Sequence, residues 1–291
     1  MSVVEQPAFE GMPRRLYAAT PTRLTTWHDC PRRYRFTYLD RPAPPKGPPW
    51  AHNTLGAVVH VALADWWRLP LARRTPAAAG ALVRRAWHSD GFRDDAQSLE
   101  WREWARVMVE RYVGIVDPAT EPRGIERTVS LIHGRVALSG RVDRIDHRGH
   151  ELVVVDYKTG RHLLSVDEVR SSLALAIYAA AASRTLRTPC RQVELHHLPT
   201  GEVHVWEHDD RTLERHLRRA DDLAAECARA DAAHRSGDVG DEAFPPRPSP
   251  ACSWCDFRQH CPQGRAQSEM RPSWSGLVDA STPERRLRAG P

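Results

Sequence analysis

Between Ile125 and Gly160 apolar residues recur at every second position in the run IERTVSLIHGRVALSGRVDRIDHRGHELVVVDYKTG. Successive side chains of a β-strand leave opposite faces, so this period predicts consecutive strands packed on a core, with turns at His133-Gly134 and Arg148-Gly149. The most hydrophobic segment, Leu152 to Val155, runs straight into Asp156, Tyr157 and Lys158. A sheet that carries an acid and an amine at the end of a buried strand is therefore the feature around which the rest of the chain must be arranged.

The flanking segments have the helical period instead. Residues 22–39 (TRLTTWHDCPRRYRFTYL) predict a helical entry bent at Pro31, and the proline-dense 41–50 predicts a linker. Helices are expected at about 54–69, 76–89 and 97–117, with most of the ten tryptophans in the core. A helix at about 166–186 follows the strands; two further strands, RQVELHHLP and EVHVWEH, meet at Thr200-Gly201, and a charged helix at about 209–235 leads to a cysteine cluster. A sheet crossed by helices is the α/β reading. Polar composition predicts a loose tail at 263–291, and residues 1–19 read as an N-terminal tail.

Asp143 lies in one strand, while Asp156 and Lys158, two apart, leave one face of the next; antiparallel pairing brings all three together. Such a set suits phosphodiester hydrolysis, in which carboxylate oxygens hold Mg²⁺ or Mn²⁺ and an ammonium orients a water and offsets developing charge. The chemistry singles out Lys158: forty of the 42 basic residues are arginine, and only Lys46 and Lys158 are lysine. A compact ammonium fits beside a water and a phosphate where a guanidinium fork would not. Taken singly, each aspartate has the commoner reading of a strand-end cap.

The motifs G-A-V-V-H at 56–60, G-R-V-D ending at Asp143, D-Y-K-T-G at 156–160 and S-L-A-L-A-I-Y at 172–178 occur in an order that resembles RecB-like PD-(D/E)XK nucleases. The resemblance implies a restriction-endonuclease-like core, a mixed sheet flanked by helices, with an α-helical N-terminal part and a C-terminal cysteine-rich segment. It implies a domain at 20–262 with a helical insertion at about 54–117 and a catalytic sheet at about 125–207. It further implies metal ligation by His60, Asp143, Asp156, the backbone carbonyl of Tyr157 and Glu126, with Gly56 leaving room one turn before His60. The chain departs from the family at Ala174, four residues before Tyr178, where the family carries Gln.

Of six cysteines, Cys252, Cys255 and Cys261 form C-x2-C-x5-C, a metal-binding spacing that needs a fourth ligand. From the residues alone, tetrahedral zinc is one reading, with His260 as an available ligand. Cys30-Pro31 resembles the distant N-terminal cysteine of AddB-like nucleases, which implies a structural [4Fe-4S] cluster on Cys30, Cys252, Cys255 and Cys261. Cys190 and Cys227 are expected to be small buried hydrophobes.

The net charge of +5 favours a polyanionic partner. The interleaved Arg32, Arg33, Tyr34 and Arg35, together with Tyr178, are candidate DNA contacts, set against a solvated basic face with aromatics packed beneath. The segment MSVVEQPAFEG has no basic stretch followed by an apolar core, so no secretory leader is expected and the cytoplasm is the expected compartment, with no membrane span. The resemblance implies an exonuclease on DNA, foremost single-stranded ends, in repair or recombination. Without a Walker-type phosphate loop, any helicase activity would come from a partner. The alternatives are a non-catalytic DNA-binding scaffold that keeps the nuclease fold, a zinc-stabilised nuclease, or a zinc protein in which D-Y-K-T-G is incidental.

Overall fold

The computed structural model describes residues 16–160 and 165–277. The N-terminal segment on which the leader was judged therefore lies outside the described residues. Among the described residues no helix is long and apolar enough to cross a membrane.

A mixed sheet of β1 (Tyr17–Ala19), β2 (Gly124–His133), β3 (Val136–Arg148), β4 (Glu151–Lys158), β5 (Cys190–His197) and β6 (Glu202–Glu207) is flanked by helices. The three strands expected from the period-two run form as an antiparallel meander. β4 and β5 pair in parallel, which requires the crossover supplied by α6 (Val166–Ser171) and α7 (Leu173–Leu186). Residues 17–19, expected as tail, instead form an edge strand parallel to Val136–Leu138.

Two apolar layers cover the two faces. On one, Leu138, Val142, Val154 and Val193 pack under α7 and α8 (Asp210–Arg235). On the other, Val153, Val155 and Tyr157 pack under α3 (Ala51–Trp67), α4 (Pro76–Ala86) and α5 (Asp95–Ile115). Val154 and Val155 are both fully buried on opposite faces, which is why VVV reads as a continuous apolar run rather than an alternation. Each such side chain contributes about 1.5–3 kcal/mol through burial. Trp66, Trp67 and Trp101 lie in the second layer as expected.

Three expectations are corrected. The entry segment breaks rather than bends: α1 (Pro21–Asp29) and α2 (Pro31–Tyr38) meet at Cys30, because Pro31 has no N–H to continue α1 but suits the first position of a new helix. The 166–186 helix breaks at Ser172, whose hydroxyl accepts from Leu175 N and caps a new start. The tail is ordered further than its polarity suggests, since α9 spans Pro262–Gln267 and Leu277 packs into the second layer.

Candidate active site

The β3–β4 ladder runs from Arg148↔Glu151 to Arg144↔Val155. The next facing positions are Asp143 and Asp156, where the strands part. Asp143 Oδ2 accepts from the backbone N–H of Tyr157 at 2.9 Å, so a side chain takes the place of the next ladder bond.

On the other side of β3, pairing with β2 skips one pair, Glu126 and Asp143, between Ile125↔Arg144 and Arg127↔Val142. Glu126 has φ +48°, in the left-handed region that non-glycine residues rarely occupy. Here the pleat turns over: Val129, Leu131 and Val142 face the α7 layer, whereas Ile125 packs on the α3 side. The inversion delivers both carboxylates to α3. Held backbone of this kind costs on the order of 1–3 kcal/mol and is typical of functional sites.

The carboxylates meet His60 there, and donor atoms of His60, Glu126 and Asp143 all lie within 4.8 Å of one another. His60 Nδ1 is 3.2 Å from Asp143 Oδ1. An octahedral hard cation with bonds of about 2.1 Å separates its ligands by roughly 3–4.2 Å, so this donor set fits Mg²⁺ or Mn²⁺ with a small contraction. Among the described residues no other three His, Cys, Asp or Glu side chains bring donor atoms this close together, and Asp156 stands beside the trio rather than in it. Asp156 Oδ2 instead pairs with Lys158 Nζ at 2.6 Å. The geometry at Tyr157 involves its amide.

Electrostatics follow from this crowding. Burial raises the Asp156 carboxyl, as does Asp143, against the opposing pull of Lys158. Glu126 is raised by burial and by Asp143, partly offset by Arg141, His60 and Arg68. Burial works to lower His60, but Asp143, Asp156 and Glu126 outweigh it and the net shift is upward. A cluster that disfavours its own negative charge is one that a cation relieves.

Two glycines shape the site. A Cβ at Gly56 would stand 3.3 Å from Thr159 Oγ1, which shows why the helix can approach the end of D-Y-K-T-G. A Cβ at Gly140 would lie 2.4 Å from the Tyr178 ring, so glycine there lets the half-buried ring reach the strand beside Asp143.

Behind the site lies a buried polar network that sequence reasoning missed. Tyr157 Oη accepts from Trp67 Nε1 at 3.0 Å and Arg144 Nη1 at 3.2 Å. Arg144 and Arg148 both hold Asp146, Arg148 also holds Glu194, and His196 joins Glu194 to Tyr112. Burial opposes the Glu194 charge, but His196 and Arg148 bring its carboxyl down to about 2. The His196 ring is held neutral by burial, so its Nε2–H donates to Glu194 and Nδ1 accepts from the Tyr112 hydroxyl. The network fixes Tyr157 between Asp156 and Lys158. Its trace in the sequence is Arg144, Asp146 and Arg148 at period two in a central strand, where unpaired charges could not be buried.

The basic-aromatic segment is not the stacking surface considered for it. Tyr34 is fully buried and donates to Asp231 Oδ1 at 2.7 Å. Arg32 is buried and held by Asp241 and Gln263. Arg35 pairs with Asp40 and covers the Phe36 and Phe244 rings. Arg33 alone of the four is exposed.

Cys30, Cys252, Cys255 and Cys261 line one cavity of about 320 Å³, and all are free thiols. Their sulfurs receive backbone N–H groups, from Ser249 to Cys252 at 3.4 Å and from Gly264 to Cys261 at 3.3 Å. His260 Nε2 bonds to Pro45 O at 2.9 Å, outside the cavity lining. Cys190 and Cys227 are buried, and burial pushes both thiols up to about 12.

No curated protein matches the chain. Among solved structures it is similar to the protein SSO0001, at 14% identity and TM-score 0.40 over 87% of this chain and 90% of that one. It is similar also to a candidate exonuclease from Eubacterium rectale, at 10% identity and TM-score 0.49 over 98% and 99% of the two chains. The family description of the PD-(D/E)XK nuclease superfamily matches residues 18–262. With this match over most of its length, the chain belongs to the PD-(D/E)XK nuclease superfamily.

Proposed function

We propose that this nuclease hydrolyses DNA phosphodiester bonds with a divalent cation on His60, Glu126 and Asp143, and with Asp156 and Lys158 beside it. The observation that carries the reading is the convergence of three donor atoms within 4.8 Å at an inverted pleat, next to a paired lysine. Mg²⁺ or Mn²⁺ there would supply Lewis-acid charge to the scissile phosphate and acidify a water. A cation there would displace the proton that the surrounding carboxylates favour on His60 and take a ring nitrogen, and Asp143 is aimed by the Tyr157 N–H. Lys158, half exposed and tethered to Asp156, orients the attacking water and offsets charge that grows on the phosphate. Tyr178 closes the other side over Gly140.

Assignment to the RecB-like, AddB-like branch, action on single-stranded DNA ends in repair or recombination in the cytoplasm, and a domain at 20–262 rest on the motif resemblance. A structural [4Fe-4S] cluster on Cys30, Cys252, Cys255 and Cys261 is supported by the cavity the four share and by the backbone N–H donors to Cys252 and Cys261. Such a group would tie α1–α2 to the C-terminal segment.

End-labelled single-stranded and duplex DNA incubated with Mn²⁺ tests the activity. Lys158→Met is expected to lose at least ~100-fold in cleavage rate while keeping its thermal stability. Metal-dependent degradation that persists at wild-type rate in the variant would refute the role given to Lys158.

A further inference from the structure

The groove along α3 has a volume of about 490 Å³ and is lined by Gly56, His60, Arg68, Glu126 and Arg141, among others. Arg141 sits on β3 two residues before Asp143, paired across the strands with Thr128. It therefore reaches diagonally to Glu126, a separation that long side chains span. Its Nε lies 2.8 Å from Glu126 Oε2, although the side chain is 72% exposed. Arg68, the other cation of the groove, is tethered to Asp65 on its own helix.

Arg141 thus neutralises one of the three groups that would ligate the cation. A divalent ion at Glu126 competes with the guanidinium for the same carboxylate and repels it by charge. An exposed side chain released from that pair stays in the groove, with a planar fork suited to a phosphate diester. We infer that Arg141 is a metal-gated phosphate clamp, which rests on Glu126 without the ion and turns to the DNA backbone when the ion takes Glu126. The inference rests on the function proposed above and adds a consequence to it: metal and DNA strengthen one another's binding through this one residue. By linkage the enhancement is reciprocal.

The test uses the full chain in a Lys158→Met background, so that the oligonucleotide is not consumed. Mn²⁺ alone is titrated calorimetrically, and a short single-stranded oligonucleotide is then titrated by fluorescence anisotropy with and without saturating Mn²⁺. Arg141→Ala and Arg141→Gln are expected to bind Mn²⁺ at least as tightly as the parent, by a factor of up to ~5. The Mn²⁺-dependent gain in oligonucleotide affinity, at least ~5-fold in the parent, is expected to shrink to near unity in both. Arg141→Lys, which keeps the charge but not the fork, is expected to restore part of it. Weaker Mn²⁺ binding in Arg141→Ala, or a loss of oligonucleotide affinity equal with and without Mn²⁺, would overturn the inference and leave an ordinary surface cation. Mn²⁺ binding that is indifferent to Asp143→Asn would overturn the site itself, and the clamp with it.

Discussion

Two parts of this molecule gather potential ligands, and they do so by opposite means. His60, Glu126 and Asp143 are set by a helix and two paired strands, and their donor atoms already converge within 4.8 Å. The four cysteines stand on a helix junction, short 3₁₀ turns and the start of α9, and bound a cavity of about 320 Å³. The first site is pre-organised by the sheet and stores strain and like-charge repulsion. The second joins segments more than two hundred residues apart in sequence, so a group bound there would close a long loop of chain. Occupying the first should therefore change activity most, and occupying the second should change stability most.

The sharpest break in that contrast would come from the cysteines. Cys255→Ser is expected to lose visible absorbance near 400 nm and bound iron, and to lower the unfolding midpoint by several degrees. Zinc in stoichiometric amount in anaerobically purified wild type, or an equally stable and fully metallated variant, would contradict the cluster. The N-terminal helices should not detach altogether, because Arg23 ties α1 to Asp231 of α8 at 2.8 Å independently of the thiols.

A smaller effect of opposite sign is expected at the strained carboxylate. Glu126→Asn tolerates a positive φ better and removes a charge from beside Asp143, so it should raise stability by about 1 kcal/mol, or roughly 2–4 °C. The same change should weaken Mn²⁺ binding. A destabilised variant in thermal unfolding would show that the inverted pleat is not strained.

Much of the fold was legible because the catalytic sheet is written in period two, and because VVV ending in D-Y-K leaves little else for that strand to be. Asp143, Asp156 and Lys158 were legible from residue chemistry. His60 and Glu126 emerged only through the motif resemblance, since a lone histidine on an apolar helix face or a glutamate at a strand start has a commoner role. The positive φ at Glu126 has no local signature: it arises where β2 must follow β3 past a skipped pair. Tyr34 was open to two readings, because the burial that decides it comes from Asp231, which is distant in sequence. Ser172 and Cys30 divided expected helices because one polar cap and one proline outweigh a favourable apolar period.

Whether His60, Glu126 and Asp143 hold the ion is decided by anomalous diffraction from crystals soaked in Mn²⁺. A manganese peak is expected between the His60 ring and the carboxylates of Glu126 and Asp143, with Lys158 still beside Asp156. Well-ordered crystals with no peak there, or with manganese held elsewhere on the chain, would contradict that placement of the ion.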